Sequence, residues 1–161
     1  MFKLGDYVVY KKDVCKIKEI KNIKNISYYV LNPIDDQTLS ITIPLNNNSL
    51  RKIISKEESL NLINSIPNID IIKIQDKLIE NEYKNLLNSG KLEDLIKIIK
   101  TTYLRNEDRI NNHKKIGKKD DNYFKKAEKL LYNEISISLG LSYDETKKYI
   151  KESVEKLINE K

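Results

Sequence analysis

The stretch Phe2–Ile20, FKLGDYVVYKKDVCKIKEI, decides how the rest of the chain is read. Gly5-Asp6 is a turn signal ahead of Tyr7, Val8, Val9 and Tyr10, and a short polar break separates these from Val14, Ile17 and Ile20. β-Branched and aromatic residues suit a pleated surface, so the pattern predicts a strand, a turn and a strand. Working outward, ISYYVL at Ile26–Leu31 predicts a further strand. Beyond the turn signals Asn32-Pro33 and Asp35-Asp36, Leu39, Ile41 and Ile43 alternate with Thr38, Ser40 and Thr42, the period of a half-buried strand, which Pro44 ends. Asn46-Asn47-Asn48 reads as an exposed turn and Leu50–Ile54 as a short closing strand. Five short antiparallel strands predict a small barrel, whose closure would remove free edges.

The texture changes at Ser55. Ser55 and Glu58 have the spacing of a capping box ahead of Leu60, Leu62 and Ile63, so a helix is expected to start there and stop at Pro67. A second helix is expected over Ile74–Asn88, ended by Gly90, and a third from near Leu92, with Leu92, Leu95, Ile96, Ile99, Thr102 and Tyr103 at helical spacing and a far end that dissolves into charge. From Arg105 to Lys119 the chain is almost wholly polar, and Gly117 predicts a loop. A fourth helix, Asp120–Leu139, aligns Phe124, Ala127, Leu131, Ile135 and Leu139 on one face before Gly140. Ser142 and Glu145 form a second capping box opening a fifth. The expectation is an α+β protein: a β module at residues 1–54 and a compact five-helix domain at 55–161.

With 161 residues and no apolar run near the roughly 20 that a membrane span needs, a cytoplasmic location is expected. One cysteine, Cys15, excludes an intrachain disulfide, and its place among alternating strand residues predicts a buried structural thiol. The lone His113 lies in the most polar stretch, with no partner in sequence for acid-base work. Gly117-Lys118 resembles the end of a phosphate-binding loop, but Asn112 stands at its earlier glycine and Lys119 at its hydroxyl. Asp120-Asp121, Asp35-Asp36 and Glu57-Glu58 are adjacent pairs; neighbours on a helix point about 100° apart, so helix capping is the better reading. No metal, cofactor or small-molecule substrate is indicated.

The net charge of +6 permits an acidic partner. Lys114, Lys115, Lys118, Lys119, Lys125, Lys126 and Lys129 cluster about one helix N-terminus, with Tyr123 and Phe124 among them, and Asp120, Asp121 and Glu128 interspersed. That is a candidate phosphate-backbone surface. An ordinary solvated lysine face is the competing reading.

FKLGDYVVY, the V-C-K-I strand and TLSITIP resemble the polymerase-interacting domain shared by the CarD/CdnL family of bacterial transcription regulators and transcription-repair coupling factors. LLNSGKLEDLIKIIKTTYLR, IGKKD and YFKKAEKLLYNEIS are similar to the family's helical part, and a stand-alone CarD-like protein is the closer match. The resemblance implies a Tudor-like barrel docking on the RNA polymerase β subunit and a helical domain resting on promoter DNA to stabilise the open complex. It implies no enzyme. A monomer is expected. The polymerase-facing positions fall on Lys21 and Thr42, with Ile41 and Ile43 flanking, and Thr42 replaces an arginine of some members.

The chain contains no tryptophan, whereas some members wedge one at the upstream edge of the transcription bubble. Counting back from Gly90 puts that position near Asp76; anchoring on Tyr83-Lys84 puts it near Ile79, and only then does Lys84 match the basic residue that follows. Asp13 takes the place of the glycine in the first inter-strand turn. DNA contact would then rest on Lys84 and the lysines at 114, 115, 118, 119, 125 and 126. A pure protein-protein adaptor on the polymerase, with lysines serving solubility, is the alternative.

Overall fold

A computed structural model describes residues 1–159; residues 160 and 161 of the expected helical domain lie outside the described residues. The chain divides into two units, Met1–Ile53 and the part from Ile54 onward.

The first unit is one antiparallel sheet of five strands: β1 (Tyr7–Tyr10), β2 (Asp13–Ile23), β3 (Ile26–Pro33), β4 (Ile41–Pro44) and β5 (Leu50–Lys52), in the order β4-β3-β2-β1-β5. Its core is Val8, Cys15, Ile17, Tyr29, Leu31 and Ile43, with Ile41 and Leu50 packed against them, so all five strands contribute to one cluster. The expected barrel is not closed by a hydrogen-bonded ladder. β5 lies in register with Val8–Tyr10, opposite Asp13–Cys15 of β2, whereas β4 pairs with Tyr28–Leu31, opposite Ile17–Lys21. The two edges are therefore staggered along the long β2-β3 hairpin, and β4 and β5 remain edge strands.

Two local expectations change for identifiable reasons. The strand expected over Thr38–Ile43 is regular only from Ile41, and Leu39 is exposed rather than inward. Asp36 Oδ1 accepts from both the backbone N–H and the hydroxyl of Thr38, while Asn32 Nδ2 donates to the Leu39 carbonyl at 2.7 Å and to Ser40 Oγ at 3.3 Å. These short-range bonds compete with the ladder and hold a turn. In the first hairpin Asp13 is a strand residue opposite Tyr10; Lys11, with φ 58°, takes the left-handed conformation instead.

The second unit contains five α-helices among the described residues: α1 (Lys56–Ser65), α2 (Asp76–Leu87), α3 (Leu92–Asn111), α4 (Lys118–Leu139) and α5 (Tyr143–Asn159). Both capping boxes form: Ser55 Oγ accepts from Glu58 N and Glu58 accepts from Ser55 N, and Ser142 and Glu145 repeat the exchange. Pro67 sits in a 3-10 turn, Ile66–Asn68, after α1. The stretch from there to α2 is tied to α3 by Lys100 Nζ, which donates to the Ile66 and Ile69 carbonyls, and by Thr101 Oγ1, which accepts from Ile72 N at 2.9 Å.

α4 is the spine. Leu130 to Ile135 are buried without a break because α3, α1, α2 and α5 all pack on this helix. Tyr123, not Phe124, is the buried aromatic of its first turns, its ring tilted against that of Tyr83 of α2 at a centroid distance of 5.1 Å. Gly140 ends it at φ 70°, a left-handed cap in which Leu141 N bonds back to the Ser136 carbonyl at 3.0 Å. No helix is long and apolar enough to cross a membrane, and no cluster of three or more metal-ligating side chains occurs, among the described residues.

Cys15 is fully buried, and burial, followed by the charge of Asp13, pushes its thiol up to about 11. A thiolate-specific reagent at neutral pH is expected to leave the native protein unlabelled and to modify Cys15 only as the β unit unfolds in denaturant. Rapid labelling of the native protein would show the thiol to be accessible after all.

Candidate docking edge and nucleic-acid surface

β4 presents the first candidate surface. Leu45 donates its N–H to the Ser27 carbonyl, and this sets the phase of the β3-β4 ladder: Ile43 and Ile41 turn their backbone groups towards Tyr29 and Leu31. Thr42 then turns its N–H and C=O to the outer edge. Its side chain is exposed, whereas Ile43 is buried in the β core and Ile41 is half-buried against it. Of the four expected docking residues, Ile41 and Ile43 thus shape the strand from within. Lys21 is exposed on β2, in the cross-strand row Lys21-Tyr28-Pro44, and lies 3.9 Å from Glu19. Two groups this exposed gain little from each other.

The second candidate surface, about the start of α4, is built differently from the sequence expectation. α3, whose far end the apolar spacing leaves undefined, continues through the polar stretch to Asn111. Arg105 and Arg109, four apart and on one face, both reach Asp120 in the first turn of α4: Arg105 Nε at 2.8 Å and Arg109 Nη1 at 2.7 Å from Oδ2. Tyr83 of α2 donates its hydroxyl to Oδ1 at 2.8 Å, and Arg105 extends the chain to Asp76 at 2.9 Å. Asn106 Oδ1 accepts from Arg109 and from Gly117 N. A Cβ at Gly117 would stand 2.6 Å from Arg109 Nη1, so a side chain there would require the guanidinium to shift from its contacts with Asn106 and Asp120.

Asp120 is 2% exposed. Burial works to raise its pKa, but the bonds from Arg105, Arg109 and Tyr83 outweigh it and hold the carboxyl below its ordinary range. The Tyr83 phenol is pushed upward by burial and then by Asp120. Asp120 was readable as a helix-capping residue; its role as the junction of three helices was not. One signal was available: of three arginines in a lysine-rich chain, two stand at i and i+4, and arginine is the residue suited to a buried, forked carboxylate contact.

This arrangement sorts the expected DNA-binding lysines. Lys119 is paired with Glu80 of α2 at 2.9 Å, and this bond holds Glu80 below its usual range. Lys84, one turn beyond Glu80, is exposed beside that pair. Lys125 is paired with Asp121 at 2.9 Å, and Lys126 lies over the Tyr123 ring at 5.5 Å from its centroid. Lys114, Lys115 and Lys118 are exposed and stand outside these pairs. The α4 N-terminus already carries Asp120 and Asp121 in its first turn, so its dipole is compensated from within rather than open to an external anion.

Residues 2–56 match the family model described as CarD-like/TRCF RID domain. The matched residues span the β unit and reach the start of α1; the helices beyond lie outside them. No curated protein matches the chain.

Removing the carboxylate from a buried, multiply bonded ion cluster typically costs 3–5 kcal/mol. Asp120→Asn is expected to destabilise the helical unit by about 3 kcal/mol at pH 7. Because the folded carboxyl titrates below its unfolded value near 3.9, its stabilisation is complete above that value and is lost as pH falls through the folded one. Urea unfolding at pH 7 and pH 3 should show the wild-type and variant curves converging at acid pH; a constant gap would refute the linkage.

Proposed function

We propose that this protein, whose residues 2–56 form a CarD-like/TRCF RID domain, is an RNA polymerase-associated transcription factor that docks through the free edge of β4. The family match carries this reading, and the outward N–H and C=O of Thr42 supply the physical means. An edge strand binds an extended partner segment by continuing the ladder, with side chains alternating between the two faces. The docking target is the polymerase β subunit, with Lys21 contributing charge on an adjacent row.

The helical unit then contacts promoter DNA through phosphates and stabilises the open complex. Lys114, Lys115 and Lys118 carry this role, with Lys84 and Lys126 beside them, since Lys119 and Lys125 already have carboxylate partners. Lysine contacts to phosphate position a protein without reading sequence. Tethering on polymerase makes weak contact sufficient, because a linked site works at an effective concentration of about millimolar. Stabilising an open complex assists promoters limited by opening and hinders those limited by escape. A pure adaptor on the polymerase is the second reading, favoured by the internal pairing of Lys119 and Lys125.

Thr42→Pro removes only the outward N–H of an edge strand, a position where proline is tolerated. It is expected to leave thermal stability nearly unchanged while weakening binding to purified β subunit at least about tenfold, one lost backbone bond plus steric exclusion. Undiminished binding would put docking on another edge.

The two readings separate on DNA. With about three phosphates neutralised, log affinity for duplex should fall against log salt with a slope of roughly −2.7. Replacing Lys114, Lys115 and Lys118 by Ala should shorten the lifetime of polymerase-promoter open complexes while leaving β-subunit binding intact. An unchanged lifetime would select the adaptor.

A further inference from the structure

The last two turns of α3 and the first turns of α4 enclose a groove of about 200 Å³. Tyr103, Glu107 and Ile110 line it at i, i+4 and i+7 along α3, and Asp121 and Phe124 at i and i+3 along α4, with Ile116 closing one end. Tyr103, Ile110 and Ile116 are 57%, 58% and 47% exposed, a concentration of apolar surface that the fold leaves uncovered. Its charge is opposite to that of the molecule: in a chain of net charge +6, the only charged side chains lining the groove are the carboxylates of Glu107 and Asp121. Asp121 is shared with Lys125 at 2.9 Å, while Glu107 is exposed.

We propose that this groove is a docking site for an amphipathic, cationic helix of a protein partner. The eight residues from Tyr103 to Ile110 run about 10 Å, the length of two helical turns. A helix laid there would insert two apolar anchors, four residues apart, between Ile110, Ile116 and Phe124 and set flanking Lys or Arg side chains against Glu107 and Asp121. Directly behind the groove, Arg105 and Arg109 bind Asp120 and lock α3 to α4, so the site is formed before a partner arrives and binding need not order it. The inference is independent of the β4 docking edge.

The test uses the full chain and a fluorescein-labelled helical peptide carrying two leucines four residues apart with lysines on both flanks, compared with the same peptide flanked by glutamates. Anisotropy titration at low salt should show saturable binding of the lysine peptide and at least about tenfold weaker binding of the glutamate peptide. Ile110→Ser combined with Ile116→Ser, both at exposed positions, should lower affinity at least about tenfold without shifting the melting temperature. Glu107→Lys should erase the preference between peptides, and Thr42→Pro should change nothing. The proposal is overturned if the lysine peptide shows no saturable binding, if the two peptides bind alike, or if the double serine variant binds undiminished. It is equally overturned if the protein self-associates through a contact that the double variant abolishes, which would make a second copy the occupant.

Discussion

The helical unit depends on one carboxylate. Asp120 is buried in the first turn of α4 and accepts hydrogen bonds from Tyr83 of α2 and from Arg105 and Arg109 of α3. A buried charge is tolerable only when its oxygens are satisfied and its charge is met, and three donors, two of them cationic, meet both conditions. The consequences spread outward from this point. α3 stays helical through a stretch with little apolar content because two of its polar side chains are fixed to Asp120. α2 is brought close enough for Glu80 to pair with Lys119. The chain between α3 and α4 passes so close to the Arg109 guanidinium that a side chain at position 117 would displace it.

The β unit obeys a different constraint, the stagger of its two edges along the β2-β3 hairpin. β4 pairs only with Tyr28–Leu31 of β3 and β5 only with Val8–Tyr10 of β1, so each retains one unpaired side while their side chains still share a core. Free edges in small sheets invite unwanted pairing. Here Pro44 closes one end of β4 and the Asp36 and Asn32 side chains hold its other end in a turn, so the open backbone is confined to a few residues about Thr42. A short, bounded edge is selective in a way that a long flat one is not. That property suits the proposed docking role.

The charge of the protein is likewise resolved by position rather than by total. Lysines that look alike in the sequence differ in their neighbours: Lys119 and Lys125 lie 2.9 Å from carboxylates, Lys126 lies over the Tyr123 ring, and Lys114, Lys115 and Lys118 stand outside these contacts. The groove between α3 and α4, whose charged lining residues are the carboxylates Glu107 and Asp121, shows the same sorting with the opposite sign.

The sequence by itself determined the class of each half, because strand alternation, helical periodicity and the Ser55-Glu58 and Ser142-Glu145 capping boxes act over a few residues and need no distant partner. It determined the buried, unreactive setting of Cys15 for the same reason. Tertiary structure decided what depends on groups far apart in the chain. Tyr83, Arg105 and Arg109 meet Asp120 across 37, 15 and 11 residues, and no local pattern says which carboxylate will lie opposite an arginine. The polar run from Arg105 therefore carried no apolar period to mark how far the helix extends, although two of its arginines are fixed to Asp120. The Thr38–Ile43 alternation promised a longer strand than forms, since Asp36 and Asn32 compete for the same backbone. The open edge of β4 was hidden too, because whether a sheet closes depends on the relative stagger of its first and last strands, and alternation within one strand carries no record of its register with another.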